Sequence, residues 1–468
     1  MKKALSRKNL WEMAPQPIKT AVGSMLGLVG IERLFGSLYR EQRRLLRAAD
    51  RWTAEQAKQF QTEKLREVCR LAAGTPFYRK AFADAGFDPA VIAKPSDIQR
   101  LPFIDKDVLR SNLHDMCAVP PTTRGVDYVS TGGSSGQPLR FYIGAERSQI
   151  EYAHLVTSWE RCGFDLRTTQ AVFRGQVVPP NSSGFRHQYD PLLRKHYYSN
   201  FHMSEAAMAA YLDHVATIGP CFLQAYPSAA AIMAAFIRRT GRAAPTNIRG
   251  ILAESENVYP EDREMCEQVF GVRYFSCYGH SEKLVLGVEC EHSSDYHIWP
   301  TYGYCELIRT DGKVINSPGE RGEIVGTGFI NRVVPFIRYR TGDYAEYVGG
   351  QCCKCGREQM ILRNIEGRGS RGSLVGEDGQ FISNTAINVH DDTFEGVVEY
   401  QFAQSQPGVA EMRVVPCRPL TEEDRNRILT RMNARLQGQV RLTLSVCDAV
   451  QQTERGKKPR IIQTIGAA

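Results

Sequence analysis

No apolar run near the start of this sequence is long enough to cross a membrane. The longest, residues 21–31, is bounded by Lys19 and by Glu32 and Arg33, and a bilayer core of about 30 Å needs roughly 20 apolar residues. An export signal is not expected either. Met1-Lys2-Lys3 resembles the start of one, but Glu12, Pro15 and Pro17 interrupt it and no small-residue cleavage site follows. The first 50 residues are expected to form helical cover, with at most peripheral membrane contact. A long Lys/Arg run is also missing. The net charge of +8 over 468 residues is modest, so it is read as a solvated surface and no nucleic-acid partner is expected. Internal repeats and low-complexity tracts are absent. The 13 cysteines are odd in number and mostly scattered singly, which excludes a disulfide framework and points to a reducing cytoplasm. What remains is ordinary: 24% charged and 42% hydrophobic residues, in a chain long enough for two or more domains.

Residues 34–73, rich in Leu, Arg, Glu and Gln at near-helical spacing, predict one or two helices, broken at Thr75-Pro76-Phe77-Tyr78. From about residue 128 short β-prone runs (171–173, 221–225, 250–253, 272–277) alternate with helix-sized segments (204–218, 229–240), the pattern of α/β units. Residues 302–347 change texture to strands and turns, punctuated by Gly303, Gly312, Gly319, Gly322 and Gly326, and predict a small β-rich subdomain. The stretch Glu366-Gly367-Arg368-Gly369-Ser370-Arg371-Gly372 suits a hinge. The expected division is therefore a large N-terminal α/β domain, 1–366, with a helical extension over 1–74, and a small α+β domain, 367–468. In the latter, β-prone runs (397–402, 411–415, 442–446) flank a helix over 421–436 with an acid-rich start at Thr421.

The chemistry begins at Ser130-Thr131-Gly132-Gly133-Ser134-Ser135-Gly136-Gln137-Pro138. Its glycines let the backbone approach a ligand closely, and successive N–H groups in such a turn form an anion-binding nest to which hydroxyls add donors. It is not a Walker loop, because no spaced Gly is followed by Lys-Ser/Thr. It joins two apparent strands, Tyr128-Val129 and Leu139-Arg140-Phe141-Tyr142, so a plain hairpin loop is the alternative.

Four further segments stand in a meaningful order: Tyr278-Gly279-His280-Ser281-Glu282, Arg338-Tyr339-Arg340-Thr341-Gly342-Asp343, Gly367-Arg368 and Thr453-Glu454-Arg455-Gly456-Lys457. Together with the loop they resemble the ordered motifs of the adenylate-forming superfamily across nearly the whole chain. Thr75-Pro76-Phe77-Tyr78, Ala85-Gly86-Phe87 and Leu101-Pro102-Phe103-Ile104-Asp105-Lys106 are similar to the phenylacetate–CoA ligase-like group, and the long N-terminal extension to its branch found with capsular-polysaccharide loci. The resemblance implies ATP-dependent activation of a small carboxylic acid as an acyl-adenylate, with coenzyme A as the default thiol acceptor.

It also implies roles. Ser130, Thr131, Gly132, Gly133, Ser134, Ser135 and Gly136 would clasp phosphates, and Tyr278, with Gly279 and Ser281 beside it, would stack on adenine. Glu282 would hold Mg²⁺, which prefers carboxylate and phosphate oxygens. Asp343 would accept from both ribose hydroxyls. Arg368 would sit near the nucleotide, and Lys457 (or its neighbour Lys458) would meet the α-phosphate and the substrate carboxylate. The acidic residue usual after Gly-Arg is replaced by Gly369 and Ser370. That departure favours one rival, an adenylyltransferase that keeps AMP on its product; a second rival, of another class, is a silent nucleotide- or partner-binding protein in polysaccharide assembly. Cys290, His297, Cys353 and Cys355 form a donor set suited to a closed, structural Zn²⁺ site, with His292 and Cys352 as substitutes. Tyr226-Pro227-Ser228 is expected to line the acyl pocket. Arg174 meets either an anionic substrate group or a buried acidic partner.

Overall fold

The computed structural model describes residues 18, 22–23, 31–131, 139–352, 354–367, 372–383, 386–387, 389, 391–451 and 459–465. The N-terminal part is helical, as its periodicity predicts. Helices α1 (Ile31–Leu34) and α2 (Gly36–Ala49) precede α3 (Ala54–Ala73). Thr53 opens α3 with a capping box, its hydroxyl accepting from the Gln56 N–H at 3.3 Å while the Gln56 side chain accepts from the Thr53 N–H at 3.0 Å. Helices α4 (Pro76–Asp84) and α5 (Lys106–Asn112) follow, then the hairpin of β1 (Val126–Ser130) and β2 (Arg140–Gly144). Helix α6 (Arg147–Trp159) packs on α2, burying Tyr39, Leu46 and Ala49 against Ala153, Val156 and Trp159. No helix among the described residues is long and apolar enough to span a membrane.

The α/β units then appear in sequence: β3 (Thr169–Phe173), β4 (His187–Asp190), β5 (Lys195–Tyr198), α7 (Glu205–Val215), β6 (Cys221–Ala225), α8 (Pro227–Thr240), β7 (Ile248–Glu254), α9 (Pro260–Phe270) and β8 (Tyr274–Gly279). Strands β5, β3, β6, β7 and β8 are parallel neighbours in that order. Their continuous apolar runs, such as Cys221–Ala225, fit strands covered on both faces.

The β-rich segment is edge-joined to the α/β units. Strands β9 (Leu286–Val288), β10 (Tyr296–Ile298), β11 (Gly303–Ile308), β12 (Arg321–Gly328), β13 (Tyr339–Gly349) and β14 (Ile361–Glu366) continue the same sheet. Among the described residues its order is β11-β12-β13-β14-β10-β9-β8-β7-β6-β3-β5-β4, twelve strands in one ladder. The short strands β9 and β10 make the join, β9 pairing with β8 and β10 with β14, all antiparallel. Three of the glycines expected as turn punctuation, Gly303, Gly322 and Gly326, lie instead within strands. A Cβ on Gly303 would meet the Leu284 carbonyl oxygen and one on Gly326 the Leu284 side chain, so both make room for the chain after β8.

Beyond Gly367, strands β15 (Ser373–Val375) and β16 (Phe381–Ser383) form a small hairpin. Strands β17 (Val397–Gln406) and β18 (Val409–Pro416), helix α10 (Glu422–Leu436), β19 (Arg441–Val446) and β20 (Ile461–Gln463) follow, with sheet order β19-β18-β17-β20 among the described residues. Thr421 caps α10 in a capping box with Asp424.

One core residue carries a pH dependence. His154 of α6 is buried, its Nδ1 2.9 Å from the Ile150 carbonyl and its Nε2 3.0 Å from the Thr301 hydroxyl. Nδ1–H donates and Nε2 accepts, so the ring is neutral, and burial pushes its pKa down to about 4. Because the folded pKa lies below the unfolded value of 6.5, this contribution is complete above pH 6.5 and is lost as pH falls toward about 4. His154→Gln should therefore flatten the acid side of the stability curve by up to about 1.4 kcal/mol per pH unit. Urea midpoints of both proteins across that range give the difference; parallel curves would contradict it.

Candidate active site

The ends of the parallel strands set the site, the usual place for ligands in open α/β sheets. Strand β8 ends at Tyr278-Gly279, and the following turn carries His280, Ser281 and Glu282. Lys283 closes that turn with a positive φ of 60°, its N–H bonding the His280 carbonyl at 3.1 Å, and its ammonium pairs with Glu151. Glu282 is 4% exposed. Its carboxylate accepts from the Tyr339 hydroxyl at 3.4 Å and lies 3.6 Å from the His280 ring. It is thus a buried turn residue and not a surface helix-start glutamate.

Asp343, on β13, comes to the same place. Its Oδ2 accepts from the Tyr278 hydroxyl at 2.9 Å, and burial together with that carboxylate pushes the Tyr278 phenol well above its usual range. The Asp343 N–H donates to the Thr341 hydroxyl at 3.1 Å, which itself donates to the Ile324 carbonyl at 2.7 Å. Gly367 follows β14 and lies beside this pair. A Cβ there would stand 3.7 Å from Asp343 Oδ1 and 2.9 Å from Asn257 Oδ1. Asn257 holds Gly367 from both sides, accepting its N–H at 3.2 Å and donating to its carbonyl at 3.4 Å. Tyr278, Asp343 and Gly367 are therefore adjacent, and Tyr339 ties Glu282 to the same strand.

The N-terminal motifs brace this strand. The Tyr78 hydroxyl donates to the Pro335 carbonyl at 2.8 Å. Ile104 bonds the Arg338 carbonyl through its N–H (3.2 Å) and accepts from the Arg340 N–H (2.9 Å). Arg338, with φ 52°, is buried: it grips Glu306 with two 3.1 Å bonds and lies 4.1 Å from the Phe103 ring centroid. It holds the strand and does not face a ligand.

Ser130 ends β1, Thr131 follows it, and the Thr131 hydroxyl accepts from the Leu139 N–H at 2.9 Å. Gly132, Gly133, Ser134, Ser135 and Gly136 lie outside the described residues, as do Arg368, Lys457 and Lys458. Tyr226 follows β6 and precedes α8, and Ser228 donates its N–H to Glu256 at 2.9 Å. Arg174 resolves to its second alternative: it pairs with Glu254 at 2.7 Å and donates to the Ser255 hydroxyl at 2.8 Å. Lys195, also buried, lies 3.3 Å from the Gln224 amide oxygen, and burial with the Arg174 charge lowers its pKa to about 8. Sequence reasoning missed Asn257 and Lys195. The only local signal for Asn257 was its place in a polar run, Glu254-Ser255-Glu256-Asn257, just past a buried strand.

The thiolate set lies at the join of the sheet. Cys290 follows β9, His297 is on β10, and the β13–β14 connection delivers Cys352 and Cys355. The four ligand atoms lie within 4.8 Å of one another, with Cys355 Sγ 3.9 Å from His297 Nε2. Cys352, which the sequence offered as a substitute, joins this cluster; Cys353 lies outside the described residues. The reason is a tight turn: Gly356 N–H bonds the Cys352 carbonyl at 2.8 Å, which brings the thiols of Cys352 and Cys355 to one side. The His292 N–H donates to Cys290 Sγ at 3.4 Å, so His292 contributes its backbone here. Burial, with Arg161 and Arg357 nearby, lowers His297 to about 4, leaving a neutral imidazole. Three thiols and one neutral imidazole are the donor chemistry that tetrahedral zinc takes.

No family model matches the chain. The phenylacetate–coenzyme A ligase of Thermus thermophilus is 23% identical over 412 residues, 80% of this chain and 85% of that protein. Protein CapK of Staphylococcus aureus is 21% identical over 313 residues, 66% of this chain and 67% of that protein. In fold the chain is similar to a 2-hydroxyisobutyryl-CoA ligase crystallised in an open conformation with 2-HIB-AMP and CoA, with a TM-score of 0.55 and 21% identity over 88% of this chain and 93% of that one. The fold is thus that of the structurally characterised CoA ligase, and the ordered motifs resemble those of adenylate-forming ligases. In sequence the chain is similar to phenylacetate–coenzyme A ligases and, over a shorter stretch, to protein CapK.

Proposed function

We propose that the protein condenses a carboxylic acid with ATP to give an acyl-adenylate and pyrophosphate, then passes the acyl group to the thiol of coenzyme A. The Tyr278–Asp343 hydrogen bond carries this assignment, because it joins two distant motifs at the strand ends with Gly367 beside them. The printed names of the relatives, and the acyl-AMP and CoA bound in the structural neighbour, support it. The attacking carboxylate is already ionised, so the protein's contribution is positioning and charge stabilisation.

In this assignment the Asp343 carboxylate accepts from the ribose hydroxyls, Tyr278 lies against adenine and the loop from Ser130 to Gly136 embraces the phosphates. Glu282 would hold Mg²⁺, which would supply charge to offset that of the phosphates. Residues 367–468 act as a lid that brings Lys457 or Lys458 to the α-phosphate, with Arg368 at the hinge. Cys290, His297, Cys352 and Cys355 hold a structural zinc that ties the two halves of the sheet, and Cys353 is the alternative donor. The cytoplasm is the expected location, and a role beside capsular-polysaccharide genes follows the likeness to CapK.

ATP–pyrophosphate exchange across a panel of aryl, fatty and amino acids tests the assignment. Exchange with one class of acid, lost in Lys457→Ala or Lys458→Ala, is the expected result. If neither variant changes the rate, the lysine assignment is wrong. A stable AMP-product formed without coenzyme A dependence would make the protein an adenylyltransferase instead. Exchange with no acid at all would point to the silent nucleotide-binding alternative.

A further inference from the structure

We propose that His187, His196 and His214 form a second metal site, separate from the thiolate cluster, that binds zinc at the edge of the twelve-stranded sheet. The hairpin geometry builds it. Strand β4 pairs antiparallel with β5, with His187 opposite Tyr198 and Tyr189 opposite His196. Side chains alternate between faces along a strand, so these four share one face. His214 reaches them from the last turn of α7.

The three rings are close enough to share one ion. Each offers a ring nitrogen, and the three nitrogens lie within 4.8 Å of one another. His187 Nε2 and His196 Nδ1 are 3.0 Å apart, against about 3.3 Å between two nitrogens on a tetrahedral zinc with bonds of about 2.05 Å. In the metal-free protein one of these nitrogens donates a proton to the other; with an ion between them the donating ring would carry its proton on its other nitrogen, leaving both facing lone pairs for the metal. His214 is oriented from behind, its Nδ1 2.7 Å from the Tyr198 hydroxyl. With Nδ1–H donating to that oxygen, Nε2 keeps its lone pair, the arrangement in which a second partner fixes the tautomer of a ligating histidine.

The rings stay neutral, so each keeps one lone pair that can be offered to a metal. Burial, with His214 and His196 nearby, lowers His187 to about 3, and burial with His214 lowers His196 to about 4. Phe185 packs against His187 and His214, and Tyr189 against His196. All three histidines are half-buried, so an ion can enter. Three imidazoles without carboxylate or thiolate suit zinc, copper or nickel over magnesium or calcium. Three protein ligands leave a fourth position for water or a small exchangeable ligand. The ion would clip the edge hairpin to α7.

The full-length chain, equilibrated with excess Zn²⁺ and freed of unbound metal by gel filtration, is compared with His187→Gln and His214→Gln. Each variant is expected to lose one zinc equivalent per chain. Loaded with Co²⁺, each should lose nitrogen-ligated visible absorption while keeping the thiolate-to-cobalt charge-transfer band of the cysteine cluster. Unchanged zinc content in both variants overturns the proposal. A second measurement needs no variant: diethyl pyrocarbonate modification of the wild-type chain, mapped by peptide mass spectrometry with and without Zn²⁺. Protection of His187, His196 and His214 of about tenfold at a zinc concentration near ten times Kd is expected. Equal modification with and without zinc overturns the proposal.

Discussion

Glu282→Ala is expected to lower the ATP–pyrophosphate exchange rate by about two to three orders of magnitude. The loss corresponds to roughly 2.7–4 kcal/mol of transition-state stabilisation, the range for removing one preorganised electrostatic contact. Glu282 suits that task because its position is fixed by others. The turn that carries it is pressed onto Gly303 and Gly326 through Leu284, and Tyr339 steadies its carboxylate. A carboxylate held this way costs no reorganisation when the bond from the α-phosphorus to its bridging oxygen breaks and charge builds on the leaving pyrophosphate. Glu282→Gln separates charge from shape. It keeps the volume and an oxygen for Tyr339 but gives up the negative charge, so it should lose nearly as much activity while melting like the wild type. Wild-type exchange in Glu282→Gln would rule out the carboxylate as the magnesium ligand.

Asp50→Ala is expected to destabilise the fold by about 3–5 kcal/mol, the cost of leaving buried charge without its partner. Asp50 stands at the end of α2 and binds two arginines from distant parts of the chain. Its Oδ1 accepts from Arg161 at 2.7 and 3.0 Å, and Arg357 reaches both oxygens at 2.9 to 3.1 Å. The side chains of Arg161 and Arg357 are 2% and 1% exposed. Without Asp50 the two guanidinium groups face each other with only Glu291 near Arg357 to offset them. Arg51→Ala is the control. Its own side chain is 61% exposed, and an ion pair with so solvated a member contributes about 0–1 kcal/mol. Urea unfolding and limited proteolysis of both variants give the comparison. Equal stability of the two would show that this charge cluster does not anchor the N-terminal helices.

The contrast between these residues explains what the sequence made legible. Tyr278, Glu282 and Asp343 stand inside motifs whose residue types and order match a known chemistry, so they could be named without coordinates. Asp50 is one acid among 51 Asp and Glu residues, and its importance comes only from Arg161 and Arg357 arriving from elsewhere. The histidine cluster was hidden for a related reason. It depends on the register of the β4–β5 hairpin, and neither short strand was assigned from its sequence. Cys352 and Cys353 are adjacent and chemically identical, so spacing could not choose between them; the turn at Gly356 brings Cys352 beside Cys355, while Cys353 lies outside the described residues. The joining of the β-rich segment to the parallel strands was missed because it rests on β9 and β10, three residues each. Periodicity carries little information over so short a run.

A sheet this wide also bears on how the protein avoids its own copies. Twelve strands in one ladder leave two ends where backbone N–H and carbonyl groups face outward, and such ends recruit strands from other molecules. At one end α3 lies across β11, the Gln61 side chain donating to the Gly303 carbonyl at 3.2 Å, and the Ile315 N–H occupies the Leu307 carbonyl at 2.8 Å. At the other end β4 is only four residues long. The wide ladder thus offers little free backbone to a neighbouring chain, and crowding alone should not drive edge-to-edge aggregation of the folded protein.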